Sequence, residues 1–167
     1  RLHNGATVRN VLHLDPWGEA LILTRTMYWI TETLLVGNID DARQPMTAIA
    51  ALLLVAEEFS VDPPPWIEYQ KVPFKEFAAV DPISLDRAVS WVESREPGTR
   101  VMVCCRAGMG RSASVVMAYL CCVQGLSYEE AVALVKTKRP GALPLPNLQT
   151  TIEQVRQLRL QRASQSP

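Results

Sequence analysis

Residues 101–123 constrain this chain more than any other stretch. Arg100–Cys104 reads as a short buried strand, with Val101-Met-Val-Cys104 its apolar part. Ser112–Val123 is almost wholly apolar, the pattern of a buried helix, and Gly125 stands where a C-cap is expected. The residues between them, Cys105-Arg-Ala-Gly-Met-Gly-Arg111, leave room only for a tight loop. Together with strands alternating with helices along the chain and a helix-rich C-terminal half, this argues for an α/β domain around a central sheet.

The flanking segments agree. Val8–Leu14 and Ala20–Thr24 lie on either side of the turn signal Asp15-Pro16-Trp17-Gly18, so a hairpin is expected at the N-terminus. Tyr28–Val36 reads as one strand ended by Gly37-Asn38, and Asp40–Arg43 and Met46–Ala51 read as short helices on either side of Pro45. Leu52–Val55 is a buried strand, Asp62–Pro65 a rigid loop, and Ile67–Val72 alternates like a strand. Asp81 has the chemistry of an N-cap, with Pro82 at the first helical position and Ile83, Ala88, Trp91 and Val92 as the apolar stripe of that helix. Ser127-Tyr-Glu-Glu130 is a capping box for a helix running to about Lys138. Asn147 caps a last helix to about Arg162. The expected architecture is a central mixed sheet flanked by helices: residues 1–27 an N-terminal hairpin extension, 28–162 the main domain, 163–167 a frayed tail.

Composition narrows the function classes. With 167 residues, 48% hydrophobic and 20% charged, the chain fits one globular domain with a real core. Lys+Arg and Asp+Glu are both 17, so no net field favours nucleic acid, and no nucleic-acid partner is expected. The longest apolar run, Ala48–Ala56, is too short to span a bilayer. No signal-peptide pattern opens the chain, and its start on Arg1 suggests either a trimmed chain or an excised domain. The cysteines form two vicinal pairs, Cys104-Cys105 and Cys121-Cys122, without zinc-knuckle spacing. Free thiols in a reducing, cytoplasmic compartment are expected, with no metal or cofactor. His3 and His13 have no evident metal partner.

The 105–112 loop carries the chemistry. Backbone N–H groups turned inward at a helix N-terminus make an anion site, and Gly108 and Gly110 permit the angles such a loop needs. Cys105 stands at the mouth of that site, and the planar fork of Arg111 can hold two phosphate oxygens. A thiolate nucleophile and an oxyanion clamp in one loop are the equipment of covalent phosphoryl transfer.

At these residues the chain resembles the cysteine-dependent protein tyrosine phosphatases, and the form C-x-A-G-x-x-R-S resembles their dual-specificity branch. Trp29–Asn38, Leu54–Glu58, Tyr69–Phe74, Arg139-Pro140 and Pro146-Asn147 resemble further landmarks of that branch, in order, so the likeness spans roughly Trp29 to Leu158. The resemblance implies that Cys105 attacks phosphorus and Arg111 stabilises the transition state. It implies that Ser112 hydrogen-bonds the thiolate, and that the backbone of Arg106, Ala107, Gly108, Met109, Gly110 and Arg111 cradles the phosphate. Asn147 matches a position that braces the loop. A phosphorylated protein is the implied partner. The family's general acid is an Asp after the strand equivalent to Tyr69–Val72; here Glu76 fits the spacing best, Asp81 is the alternative and Asp62 a distant third.

One departure is plain: Cys104 stands where the family carries a His that supports the loop. It keeps two alternatives open, a weak or dead phosphate-binding pseudophosphatase and a phosphatase of lipid, inositol or other non-protein phosphates. Cys121 and Cys122 read as helix core. Arg106 reads as a solvated charge or a pocket-rim cation. Lys136, Lys138 and Arg139 read as helix-dipole complements, and Arg156, Arg159 and Arg162 as a solvated face.

Overall fold

The computed structural model of the chain describes residues 6–14 and 20–167, with side chains from Met27 onward. Six strands form one mixed sheet in the order β1-β2-β3-β6-β4-β5: β1 (Ala6–Leu14), β2 (Ala20–Trp29), β3 (Leu34–Gly37), β4 (Ala51–Ala56), β5 (Glu68–Phe74) and β6 (Val101–Cys104). The central strands β3, β6 and β4 run parallel and are buried at every residue, as their unbroken apolar runs require. β5 continues the parallel set beside β4. β1 and β2 pair in antiparallel register from Ala6↔Tyr28 to Leu14↔Ala20, and β2 joins β3 through Tyr28↔Val36 and Trp29↔Leu35. The expected mixed sheet with an N-terminal hairpin is therefore what forms; the turn read at 15–18 lies outside the described residues.

The described residues also form the helices α1 (Ile39–Arg43), α2 (Pro82–Glu93), α3 (Arg111–Cys122), α4 (Tyr128–Lys138) and α5 (Leu148–Gln165). α3 is the central one, packed on β3, β4 and β6 and against α2, α4 and α5. Its fully buried Met117 and Leu120 each contribute roughly 1.5–3 kcal/mol of apolar burial. No helix among the described residues is long and apolar enough to cross a membrane.

Several expectations are corrected. Tyr28–Val36 is two strands, because the Thr31 hydroxyl accepts the Leu34 N–H at 3.1 Å and the Ile30 N–H bonds the Leu34 carbonyl at 2.8 Å, closing a bend between them. Met46–Ala51 is a turn that leads straight into β4: the Arg100 carbonyl takes the Ala50 and Ala51 N–H groups. In α2 the buried stripe is Leu85, Ala88, Val89 and Val92, while Ile83 faces solvent. The row Arg156, Arg159, Arg162 is not a solvated face. Arg159 and Arg162 reach Asp86 of α2 at 3.1 and 2.8 Å, and Arg156 donates to the Leu126 carbonyl at 2.9 Å. The Asp86 bonds tie α5 to α2 and the Arg156 bond ties it to the link between α3 and α4, and α5 continues to Gln165, through most of the expected frayed tail.

Candidate active site

Cys105 directly follows β6 and Arg111 opens α3, so residues 106–110 must turn within the space between a buried strand and a buried helix. Every carbonyl of that turn is held from outside. Arg106 O accepts from the Ile39 N–H at 3.2 Å, Ala107 O from Arg139 Nη2 at 3.2 Å and Gly108 O from Arg139 Nε at 2.9 Å. Met109 O accepts from the Leu143 N–H and Gly110 O from the Ser114 N–H, both at 2.9 Å. With the carbonyls turned outward, the N–H groups of residues 106–111 donate to no protein acceptor among the described residues. Grouped at the N-terminus of α3, they suit an oxyanion. Gly108 has φ +68°, and a Cβ there would meet the Gly37 carbonyl oxygen at 2.8 Å, so only glycine fits. Gly110 does not need its freedom: its φ of −107° is open to any residue.

Cys105 is 3% exposed, and its Sγ lies 3.1 Å from the buried Ser112 Oγ. Arg111 is 2% exposed, and burying such a charge demands a partner. The partner is Glu58, at the turn after β4: Nη1 and Nη2 each reach a carboxylate oxygen at 2.6 Å, and Nη1 also donates to the Phe74 carbonyl at 3.1 Å. That uses the Nη1/Nη2 edge of the guanidinium. The Nε–H and the second Nη2 hydrogen make the other edge, which bonds no protein acceptor among the described residues and can clamp two phosphate oxygens. The Arg111 hydrogen bonds hold the Glu58 carboxyl down at about 2. Burial works against the Arg111 charge, but the Glu58 bonds outweigh it and raise its pKa. Lys71 fixes the turn that carries Glu58, donating to the Glu57 and Phe59 carbonyls at 3.1 and 2.6 Å.

Glu58 is the site residue that the sequence reading lacked. Its signal was two adjacent carboxylates at the C-terminal end of a buried strand, the end at which the Cys105 loop also emerges. Glu58→Gln is expected to lower turnover about tenfold, by releasing the guanidinium, and to destabilise the fold by about 1–2 kcal/mol after discounting for a carboxylate that is 36% exposed. Because the folded carboxyl titrates below its unfolded value, the wild-type advantage is full above the usual carboxylate range and disappears as pH falls toward about 2. Urea titrations of both proteins at pH 7 and pH 3 check this.

The other anticipated residues fall around this centre. Glu76, 34% exposed in the loop after β5, lies 3.7 Å from Arg106, a rim cation that is 64% exposed. Asp81 instead caps α2, accepting the Ser84 N–H and hydroxyl at 2.8 and 2.7 Å; these bonds pull its pKa down and keep it ionised. Asp62 is exposed in the proline loop and makes no hydrogen bond or ion pair with the Cys105 loop among the described residues. Cys104 ends β6 fully buried, and burial, with Asp41 and Cys105 nearby, pushes its thiol well above the ordinary value. It is a neutral packing group there, not a charged support. Asn147 sits exposed at φ +58° ahead of α5, and its side chain makes no capping bond. The brace expected of it is supplied by Arg139, which holds two loop carbonyls instead of serving only the α4 dipole.

A buried cysteine at the loop, beside an arginine whose second edge bonds no acceptor among the described residues, on an α/β sheet, is an arrangement that suits phosphate. Comparison with known proteins agrees. The dual specificity phosphatase catalytic domain model matches residues 41–158, and the chain belongs to that family. It is 34% identical over 80 residues to the dual specificity protein phosphatase Mpk3 of Drosophila melanogaster, covering 47% of this chain and 20% of that protein. It is 26% identical over 131 residues to dual specificity protein phosphatase 1B of Arabidopsis thaliana, covering 75% and 78%. Against the first of these relatives the match thus spans only about a fifth of their length. A mouse putative dual specificity phosphatase complexed with zinc tungstate shares the fold, with a TM-score of 0.70, 24% identity and coverage of 82% of this chain and 90% of that one.

Proposed function

We propose that the chain hydrolyses phosphomonoesters of phosphotyrosine, phosphothreonine or phosphoserine in protein substrates through a phosphocysteine intermediate. The phosphate sits in the 106–111 cradle, with two of its oxygens on the free edge of Arg111. The Cys105 thiolate forms the S–P bond as the P–O bond to the leaving group breaks, and Glu76 gives its proton to the departing oxygen. Water then attacks phosphorus, Glu76 takes back a proton, and the S–P electrons return to sulfur, where the Ser112 hydroxyl receives the charge. The observation that carries this reading is the Cys105–Ser112 contact of 3.1 Å beneath a loop whose carbonyls all point outward. Glu76 is preferred to Asp81 because the cap occupies Asp81.

The test is aryl phosphate turnover against pH under reducing conditions, for wild type and Glu76→Gln. The Gln variant is expected to lose about 10²-fold with a poor leaving group and much less with a good one. The limb of the profile that requires a protonated acid should flatten. An unchanged leaving-group response would remove Glu76 from the role.

A phosphate-binding protein without turnover is favoured by one observation, the buried neutral Cys104 where the family carries His. Vanadate binding by a wild-type chain that hydrolyses nothing would establish that reading instead.

A further inference from the structure

The phosphate cradle is not held by its own residues alone. Arg139, half-buried just after α4, grips it from behind through the Gly108 and Ala107 carbonyls at 2.9 and 3.2 Å. Its third donor goes to its neighbour, the Pro140 carbonyl. Two adjacent loop carbonyls held by one planar group fix the peptide planes between them, and so fix where the N–H groups on the far side aim.

What holds Arg139 is less expected. Its guanidinium lies 4.3 Å from the centroid of the Tyr28 ring. Tyr28 belongs to the N-terminal hairpin: in β2 it pairs with Ala6 of β1 on one side and Val36 of β3 on the other. Close packing does not pin the arginine elsewhere. A cavity of about 220 Å³, lined by Tyr28, Gly37, Asn38, Gly108 and Arg139 among others, opens between the hairpin and the loop. Without the ring, the guanidinium has space to swing into and two carbonyls to release.

We propose that Tyr28 and Arg139 are positioning residues for the phosphate cradle, and that through their stacked pair the N-terminal hairpin sets the geometry of the site. This rests on the reading of residues 106–111 as an oxyanion cradle. Neither residue touches substrate; both act through the loop carbonyls. The hairpin thereby becomes a control point, since whatever displaces β2 at Tyr28 loosens the cradle without entering it.

The experiment is a double-mutant cycle on the intact chain with Tyr28→Leu, Arg139→Lys and the pair together, and Tyr28→Phe as the conservative control. The readouts are vanadate affinity, inorganic phosphate affinity, kcat and KM for an aryl phosphate, and Tm. Tyr28→Leu is expected to weaken vanadate and lower kcat about five- to tenfold, with phosphate affinity and KM moving less than about twofold. Tyr28→Phe keeps the ring face and should restore both. Arg139→Lys replaces a two-pronged fork by a point charge and should show the same loss, and the double variant should be no worse than either single one. Additive losses, or a Tyr28→Leu protein that loses Tm while keeping wild-type vanadate affinity and kcat, would overturn the proposal and leave the proposed function standing. If Tyr28→Leu does not fold, Arg139→Lys against wild type decides on the same readouts. A wild-type chain that binds no vanadate and turns over nothing would instead overturn the cradle reading, and this inference with it.

Discussion

Cys105→Ser is expected to abolish turnover of an aryl phosphate, a loss of about 10⁴-fold or more, while inorganic phosphate affinity stays within a few-fold of wild type. The two effects separate because different atoms carry them. The cradle is shaped by clamps on the carbonyls of residues 106–110 and by Arg111, and none of these bonds uses the cysteine sulfur. Among the described residues the sulfur's one side-chain partner is Ser112, which serine at 105 can still meet. Cys104 cannot take over, because its thiol is fully buried and held protonated. Burst kinetics with an aryl phosphate and intact-mass detection of a +80 Da adduct on wild type, at roughly that increment, check the covalent step. Residual turnover above about a tenth of wild type would place the nucleophile elsewhere.

Arg111→Lys comes next in size. It is expected to reduce kcat/KM about 10³-fold, with most of the loss in kcat. The wild-type guanidinium works on two edges at once, one against Glu58 and the Phe74 carbonyl and the other toward the phosphate. An ammonium group can satisfy one of these but not both. The lysine should settle on Glu58, where the opposite charge is fixed, and leave the phosphate edge empty. Stability should therefore suffer little compared with activity. Tm measured beside kcat/KM checks this. A variant with unfolding and activity lost in proportion would mean that Arg111 acts mainly as a structural ion pair.

How much of this was legible from residues alone depends on the distance over which each feature is decided. The Asp81-Pro82 cap and the Ser127–Glu130 box could be read because donor and acceptor lie three positions apart, and both form. The Cys105–Arg111 loop could be read because strand, glycines and helix are contiguous. The Glu58–Arg111 pair spans 53 positions, and the Arg162–Asp86 bond spans 76. The carboxylates at the end of β4 mark a charged strand end but not its partner; both bonds exist because β4 and β6 lie side by side and α5 crosses α2. Arg139 was misjudged for the same reason. At a helix end its charge has an adequate local explanation, and only the folded loop 31 positions earlier reveals another. The bend at Thr31 is the opposite case, a local hydroxyl bond in the polar triplet Thr31-Glu32-Thr33, concealed because threonine also suits a strand.

The outside bonds on the cradle carry a consequence for the order in which the site comes into being. Its carbonyls are held by Ile39 before it in the chain, and by Ser114, Arg139 and Leu143 after it. On a ribosome, Cys105 therefore emerges well before the last of these anchors. Until residue 143 has docked, Cys105 is expected to sit in a loop that lacks its full set of carbonyl clamps. On the proposed function, the Cys105 thiol is expected to stay unreactive during synthesis and to acquire its chemistry only when the C-terminal third has docked.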